Sequence, residues 1–139
     1  MRANVAVRAR SSRVVHDRVA DPYMRTLKLP EPAVCPDCGA VFHKGRWAWS
    51  ARVPKGAASQ ACQACRRVQD DYPAGIMTLR GAYVRPHLRE LLAVARNEEK
   101  AERQDHPMHR IMAVEEKGGI VVIKTTDIHL PGQIGRAHV

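Results

Sequence analysis

Four thiols carry the strongest chemical signal in this chain of 139 residues. Cys35 and Cys38 form one Cys-x-x-Cys pair, Cys62 and Cys65 form a second, and 23 residues lie between the pairs. Two residues between thiolates let a tight turn aim both sulfurs at one ion. Two such turns place four sulfurs at tetrahedral corners, the arrangement that Zn2+ takes. Gly39, directly after Cys38, suits a turn that must leave backbone amides near the sulfurs. The first residues carry no secretion signal, which argues against disulfides, and a dithiol redox centre needs one pair rather than two. Tetrahedral iron takes the same ligand set and stays open as the alternative metal. The expected cofactor is one structural Zn2+, because four thiolates leave no coordination position for a catalytic water.

Between the pairs, aromatic and basic residues interleave. Phe42 to Trp49 contains Lys44, Arg46, Trp47 and Trp49; Arg52 and Lys55 follow, and Arg66 and Arg67 come directly after the last cysteine. In a strand, Trp47 and Trp49 share one face. Aromatic stacking combined with phosphate contact is what single-stranded RNA requires of a surface. Lys44, Arg46, Trp47, Trp49, Arg52, Lys55, Arg66 and Arg67 are therefore the candidate RNA contacts. The two tryptophans have a competing use as a small core covering the cysteine turns, so the bases are the stronger candidates. His43 reads as a surface side chain, since the cysteines already complete a ligand set. His106 and His109 have ligand-like spacing, but Pro107 breaks any helix between them and no acid stands at a fixed offset; no metal or catalytic use is expected there. No Gly-rich phosphate loop, nucleophile elbow or zincin motif is present, so no catalytic residue and no enzymatic activity are expected.

These residues need elements to hold them. Residues 1–33 read as a flexible basic arm closed by the stiff linker Leu29-Pro30-Glu31-Pro32, in which each proline fixes its own φ and restricts its predecessor. Residues 34–70 read as a four-cysteine zinc ribbon, too small to bury a core of its own, so that metal binding supplies its folding energy. Residues 71–139 read as a small α/β domain. Ile76 to Val84 is a plausible strand, and Pro86 suits the opening of a helix. Leu88, Leu91, Leu92 and Ala95 then recur at i, i+3, i+4 and i+7, one apolar helical face that ends before His106-Pro107. Arg110–Glu115 and Ile120–Thr125 are strands joined by a hairpin at Lys117-Gly118-Gly119. Thr125 or Thr126 suits the cap of a last helix containing Pro131. The order strand, helix, strand, strand, helix lacks one strand of a ferredoxin-like sandwich. The fold class is thus α+β, a zinc ribbon followed by a ferredoxin-like βαββα domain. Residues 134–139 also coincide with the translation of a common sequencing adapter, which leaves two readings open: a natural chain that runs on and supplies that strand, or a native terminus.

Composition sets the class of partner. Residues 1–34 carry seven Lys/Arg against three acids, residues 35–67 six against one, and residues 68–139 ten against ten, so the whole net charge of +9 lies in the N-terminal half. A basic half on a neutral scaffold points to a polyanion. The longest apolar run, Leu91 to Ala95, is far short of the roughly 20 residues of a bilayer span, which excludes a transmembrane helix and predicts a cytoplasmic protein with no membrane partner. Aromatics are only 4 %, so the core must be aliphatic.

From residue 34 onward the chain resembles the Nmd-three family, zinc proteins that act as export adaptors of the large ribosomal subunit. The resemblance rests on Cys35-Pro36-Asp37-Cys38-Gly39, the Cys62–Cys65 pair, Tyr72 through Leu79-Arg80, and the hairpin into Gly119-Ile120-Val121-Val122. The chain is most similar to short bacterial proteins of this group, through Gly45-Arg46-Trp47-x-Trp49, Asn97-Glu98-Glu99, His106-Pro107, Arg110-Ile111-Met112 and Thr125-Thr126-Asp127-Ile128-His129-Leu130. The resemblance implies the four cysteines as zinc ligands and association with ribosomal RNA or a ribosomal subunit. The further cysteines, domains and transport signals of the longer relatives are missing, so nuclear export does not carry over. The expected function is a zinc-binding, RNA- or ribosome-associated binding protein. The alternative is a protein–protein adaptor with a purely structural zinc ribbon, in which the C-terminal domain takes a protein partner or a second copy.

Overall fold

A computed structural model describes residues 6–11, 23 and 29–138. The described residues form an α+β structure of two small sheets and three helices. The first sheet, in the order β4-β3-β2-β5, contains β2 (Ala33–Val34), β3 (Val41–His43), β4 (Arg46–Ala48) and β5 (Ala58–Ser59). Lys44 and Gly45 turn β3 into β4 with φ of 53° and 78°, the paired positive values of a two-residue hairpin turn. The helix α1 (Gln63–Asp70) follows this sheet.

The second sheet has the order β1-β6-β8-β7, and every neighbouring pair in it is antiparallel. Its strands are β1 (Ala6–Ser11), β6 (Gly75–Arg80), β7 (Ile111–Lys117) and β8 (Ile120–Thr125). Gly118 and Gly119, with φ of 57° and 80°, form the hairpin between β7 and β8. Helix α2 (Leu88–Asp105) connects β6 to β7, and α3 (Leu130–Ala137) follows β8. Along β6 and β8 the buried residues alternate: Met77 and Leu79 on one, Val121, Ile123 and Thr125 on the other. This is the period of a sheet with one covered face. Leu91 and Ala95 of α2 with Leu130 and Ile134 of α3 complete that core. Each fully buried Met, Leu or Ile side chain contributes about 1.5–3 kcal/mol.

Two expectations change. Residues 6–11, read from sequence as part of a flexible basic arm, pair with β6 from Ala6↔Arg80 to Ser11↔Gly75. The rest of the arm, apart from Tyr23 and residues 29–33, lies outside the described residues. The strand beside β6 is thus supplied from the N-terminal side, where the sequence reading looked for it beyond the C-terminus. The cysteine module is therefore inserted in sequence between two paired strands of one sheet. Among the described residues, no helix is long and apolar enough to cross a membrane.

Candidate metal centre

Two different local structures deliver the four sulfurs. The first pair lies on the turn after β2, where the Gly39 N–H donates to the Cys35 carbonyl at 2.9 Å and the Cys35 N–H donates to the Ala40 carbonyl at 2.8 Å. Gly39 has φ of 81°, a conformation that costs a glycine little. The second pair, expected on a second tight turn, sits instead on the first turn of α1. Cys62 is the N-cap, and its Sγ accepts the N–H of Cys65 at 3.3 Å. The Cys62 N–H donates in turn to Cys35 Sγ at 3.3 Å, which ties the pairs together.

All four Sγ atoms lie within 4.8 Å of one another, and Cys38 Sγ is 3.8 Å from Cys62 Sγ. A tetrahedral ion with metal–sulfur bonds of about 2.3 Å separates its sulfurs by about 3.8 Å. Cys35, Cys62 and Cys65 are buried, and none of the four forms a disulfide. The donor set and spacing fit a metal ion with no geometric change beyond small side-chain adjustments. Burial pushes the Cys62 and Cys65 thiols up. At Cys35 burial also acts upward, but backbone hydrogen bonds from Cys62, Cys38 and Asp37 outweigh it and bring the thiol down to about 7.

Arg110, expected from sequence as the start of a strand, completes the centre. It opens the strand region of β7, yet only 7 % of it is exposed. Its Nη1 donates to Cys65 Sγ at 3.2 Å, and its Nη2 donates to Cys38 Sγ at 3.1 Å and to Cys62 Sγ at 3.7 Å. The fork is fixed from behind: Nε donates to the Pro107 carbonyl at 2.7 Å and the backbone N–H donates to Thr126 Oγ1 at 2.8 Å. Burial opposes the guanidinium charge, and the surrounding thiols of Cys38, Cys65 and Cys62 outweigh that and hold it above its ordinary range. Four thiolates around a divalent ion carry two net negative charges, so a buried cation touching three sulfurs offsets half of them. The one sign of this in the sequence is an arginine directly before the apolar run Ile111 to Val114, which spacing alone does not connect to cysteines far upstream.

The candidate RNA contacts divide. Lys44, Arg46, Arg52 and Lys55 are exposed. Arg67 is 3 % exposed; its guanidinium lies 4.4 Å from the Tyr23 ring centroid and donates to the Tyr72 carbonyl at 3.3 Å. It is a structural residue, and the expectation of phosphate contact there is corrected. Trp47 packs on the cysteine cluster and on Phe42, with ring centroids 5.3 Å apart. Trp49 donates from Nε1 to the Arg103 carbonyl at 2.6 Å and lies 5.9 Å from the Arg110 guanidinium. A cavity of about 880 Å3 opens beside the centre, and Arg46, Trp47, Trp49, Arg66, His106 and His109 are among its lining residues.

His106 and His109 do have acidic neighbours. Glu102 Oε1 lies 3.0 Å from His109 Nδ1 and 3.8 Å from His106 Nε2, and Asp127 Oδ2 lies 3.6 Å from His109 Nε2. Burial pushes the Glu102 carboxyl up, but hydrogen bonds from His109 and Gln133 and the neighbouring histidines outweigh it and hold it below its ordinary value. The N-cap of α3 is His129, not Thr125 or Thr126, and the Asp127 carboxylate just before it accepts the N–H of His129 at 2.8 Å and of Leu130 at 3.2 Å. No family model, curated protein or solved structure matches this chain.

Proposed function

We propose that this protein is a zinc-stabilised, non-enzymatic RNA-binding module that works on ribosomal RNA or a ribosomal subunit in the cytoplasm. One observation carries the reading: Trp47, Trp49, Arg46 and Arg66 are all among the residues that line the cavity beside the metal centre. Aromatic faces beside guanidinium groups suit an unstacked base and its phosphate. The excess of positive charge in the N-terminal half supports the same polyanionic partner. The resemblance to the Nmd-three family supports the ribosome as the source of that RNA. Zinc is the ion this reading requires, since four thiolates in a closed tetrahedral shell make a structural rather than a catalytic site. The antiparallel order β1-β6-β8-β7 supports a ferredoxin-like scaffold whose fourth strand is β1.

The test is co-sedimentation of the zinc-loaded protein with ribosomal subunits, at low and moderate salt, alongside a variant with Arg46, Arg52 and Arg66 changed to alanine. The reading expects migration with one subunit, weakening as salt rises, and loss of migration in the variant at unchanged zinc content. Equal migration of variant and parent counts against it. A second reading, a protein–protein adaptor, draws on Trp47 and Trp49, both of which make contacts within the protein. Protein remaining at the top of the gradient at both salt concentrations favours that adaptor.

A further inference from the structure

We infer that Glu102, His106 and His109 form a second divalent-cation site, chemically distinct from the four thiolates and open to the cavity beside them. Glu102 and His106 are four residues apart at the C-terminal end of α2, and thus lie one above the other. The chain then turns at Pro107-Met108, with the His109 N–H donating to the His106 carbonyl at 2.9 Å. That turn folds the His109 ring onto the His106 ring, with centroids 4.8 Å apart and planes 18° apart. The proline that separates the histidines in sequence is thus part of what brings them together.

The donor atoms are disposed as a metal requires. Glu102 Oε1 is 3.0 Å from His109 Nδ1 and 3.8 Å from His106 Nε2, and all three atoms lie within 4.8 Å of one another. Bonds of about 2.0–2.1 Å in a tetrahedral shell separate the ligand atoms by about 3.3 Å, between the two observed values. The remaining pair closes by rotation of His106, whose side chain is 56 % exposed. Two imidazoles and one carboxylate suit Zn2+ and its borderline neighbours rather than Mg2+ or Ca2+.

The surroundings supply the outer support that such ligands need. The second nitrogen of His109 faces Asp127 Oδ2 at 3.6 Å, and that carboxylate is held by the amides of His129 and Leu130. A carboxylate behind the far nitrogen fixes the ring orientation of a metal-bound histidine. Gln133 Nε2 donates to Glu102 Oε2 at 3.1 Å, which leaves Oε1 directed at both rings. Three protein ligands leave at least one position open, and both histidines line the cavity. An oxygen donor from water or from a ligand in the cavity fills that position. The site stands independently of RNA binding.

Zinc content after equilibrium dialysis against micromolar Zn2+ tests the site in the full chain. The parent protein is expected to hold two equivalents, and His106→Ala and Glu102→Gln one. The His106 side chain is 56 % exposed, so its replacement should leave the fold intact, and circular dichroism checks this. The affinity of the second equivalent should fall by more than the roughly 10–100-fold that loss of an outer-shell partner costs. A His43→Ala control should keep both equivalents. One equivalent in the parent, or two retained in His106→Ala, overturns the site.

Discussion

The Nη2 of Arg110 lies 3.1 Å from the Sγ of Cys38, although 72 positions separate the two residues. This contact joins the two halves of the molecule. Arg110 directly precedes β7 of the second sheet, its carbonyl accepting the Thr126 N–H at 2.8 Å, and Cys38 belongs to the turn after β2. Met108, two residues earlier, is 8 % exposed and packs in the same cluster as the cysteines. The metal centre is therefore closed by the sheet domain, and its electrostatics depend on how that domain docks.

Replacing Arg110 by methionine should weaken metal binding by about 10–100-fold, the cost of losing an outer-shell partner. It should also lower stability by about 3–5 kcal/mol, as expected when one member of a buried charge pair is removed. Arg110→Lys should recover only part of either, because an ammonium does not reproduce a planar fork reaching Cys38, Cys65 and the Pro107 carbonyl at once. Competition with a chromophoric chelator and urea unfolding measure the two effects. Parental metal affinity in Arg110→Met would remove the guanidinium from the description of the centre.

Removal of the metal should unfold the molecule in part. The cysteine cluster is lined by Ala40, Ala64 and Met108 besides the cysteines themselves, a core with little apolar surface. The sheet core of Met77, Leu79, Leu91, Val121, Ile123, Leu130 and Ile134 is separate from it. Hydrogen exchange after chelation should show lost protection over 33–70 and retained protection in β6 and β8. Uniform loss along the chain would mean that the sheet cannot stand without the metal.

Much of this was legible in the sequence where the determinants are local. The ligands follow from cysteine spacing, α2 from the apolar repeat through Leu88, Leu91, Leu92 and Ala95, and the last hairpin from Gly118-Gly119. What was hidden depends on residues far apart in sequence. β1 alternates Val7 and Ala9 with Arg8 and Arg10, a pattern too short and too weakly apolar to stand out from a basic arm, and only pairing with β6 makes it a strand. The placement of Cys62 and Cys65 on a helix rather than a turn follows from N-capping by a sulfur, a use that Cys-x-x-Cys spacing does not distinguish from a knuckle. Arg110 and the Glu102–His106–His109 group needed the fold, because Pro107 reads locally as a separator.

Lys124 should give stability an alkaline limit. Its Nζ lies 2.8 Å from Glu115 Oε1 and 3.5 Å from Asp71 Oδ1, linking β8 to β7 and to the residue after α1. The hydrogen bond to Glu115, then the charge of Asp71, raises its pKa above the ordinary 10.5. A raised folded-state value means that the contribution is complete below about 10.5 and is lost as pH rises through the folded value. Stability measured from pH 9 to 12 should therefore fall more steeply for the parent than for Lys124→Met. Parallel curves would show that these contacts do not distinguish the folded from the unfolded lysine.

Two glycines should respond oppositely to the same substitution. Gly75 begins β6 opposite Thr125, and a Cβ there would meet Thr125 Oγ1, the Asp127 carbonyl at 2.5 Å and Pro131 Cγ at 2.9 Å. Two of these neighbours are tied together, since Thr125 Oγ1 donates to the Asp127 carbonyl at 2.6 Å. They cannot retreat without moving the Asp127 carboxylate, which accepts the N–H groups of His129 and Leu130 at the start of α3 and faces His109. Gly75→Ala should therefore cost about 1–3 kcal/mol, the usual range for overpacking. Gly132 lies inside α3, where the nearest neighbour of a Cβ is Arg136 Nη1 at 3.5 Å, the end of a flexible side chain. Gly132→Ala should stabilise by about 0.4–1 kcal/mol, because it removes unfolded-state freedom without strain. Thermal midpoints of the two variants measured side by side decide the matter: a loss at Gly75 and a gain at Gly132 support the close approach of β6 to the Thr125–Asp127 backbone, and equal midpoints would show that this backbone yields freely.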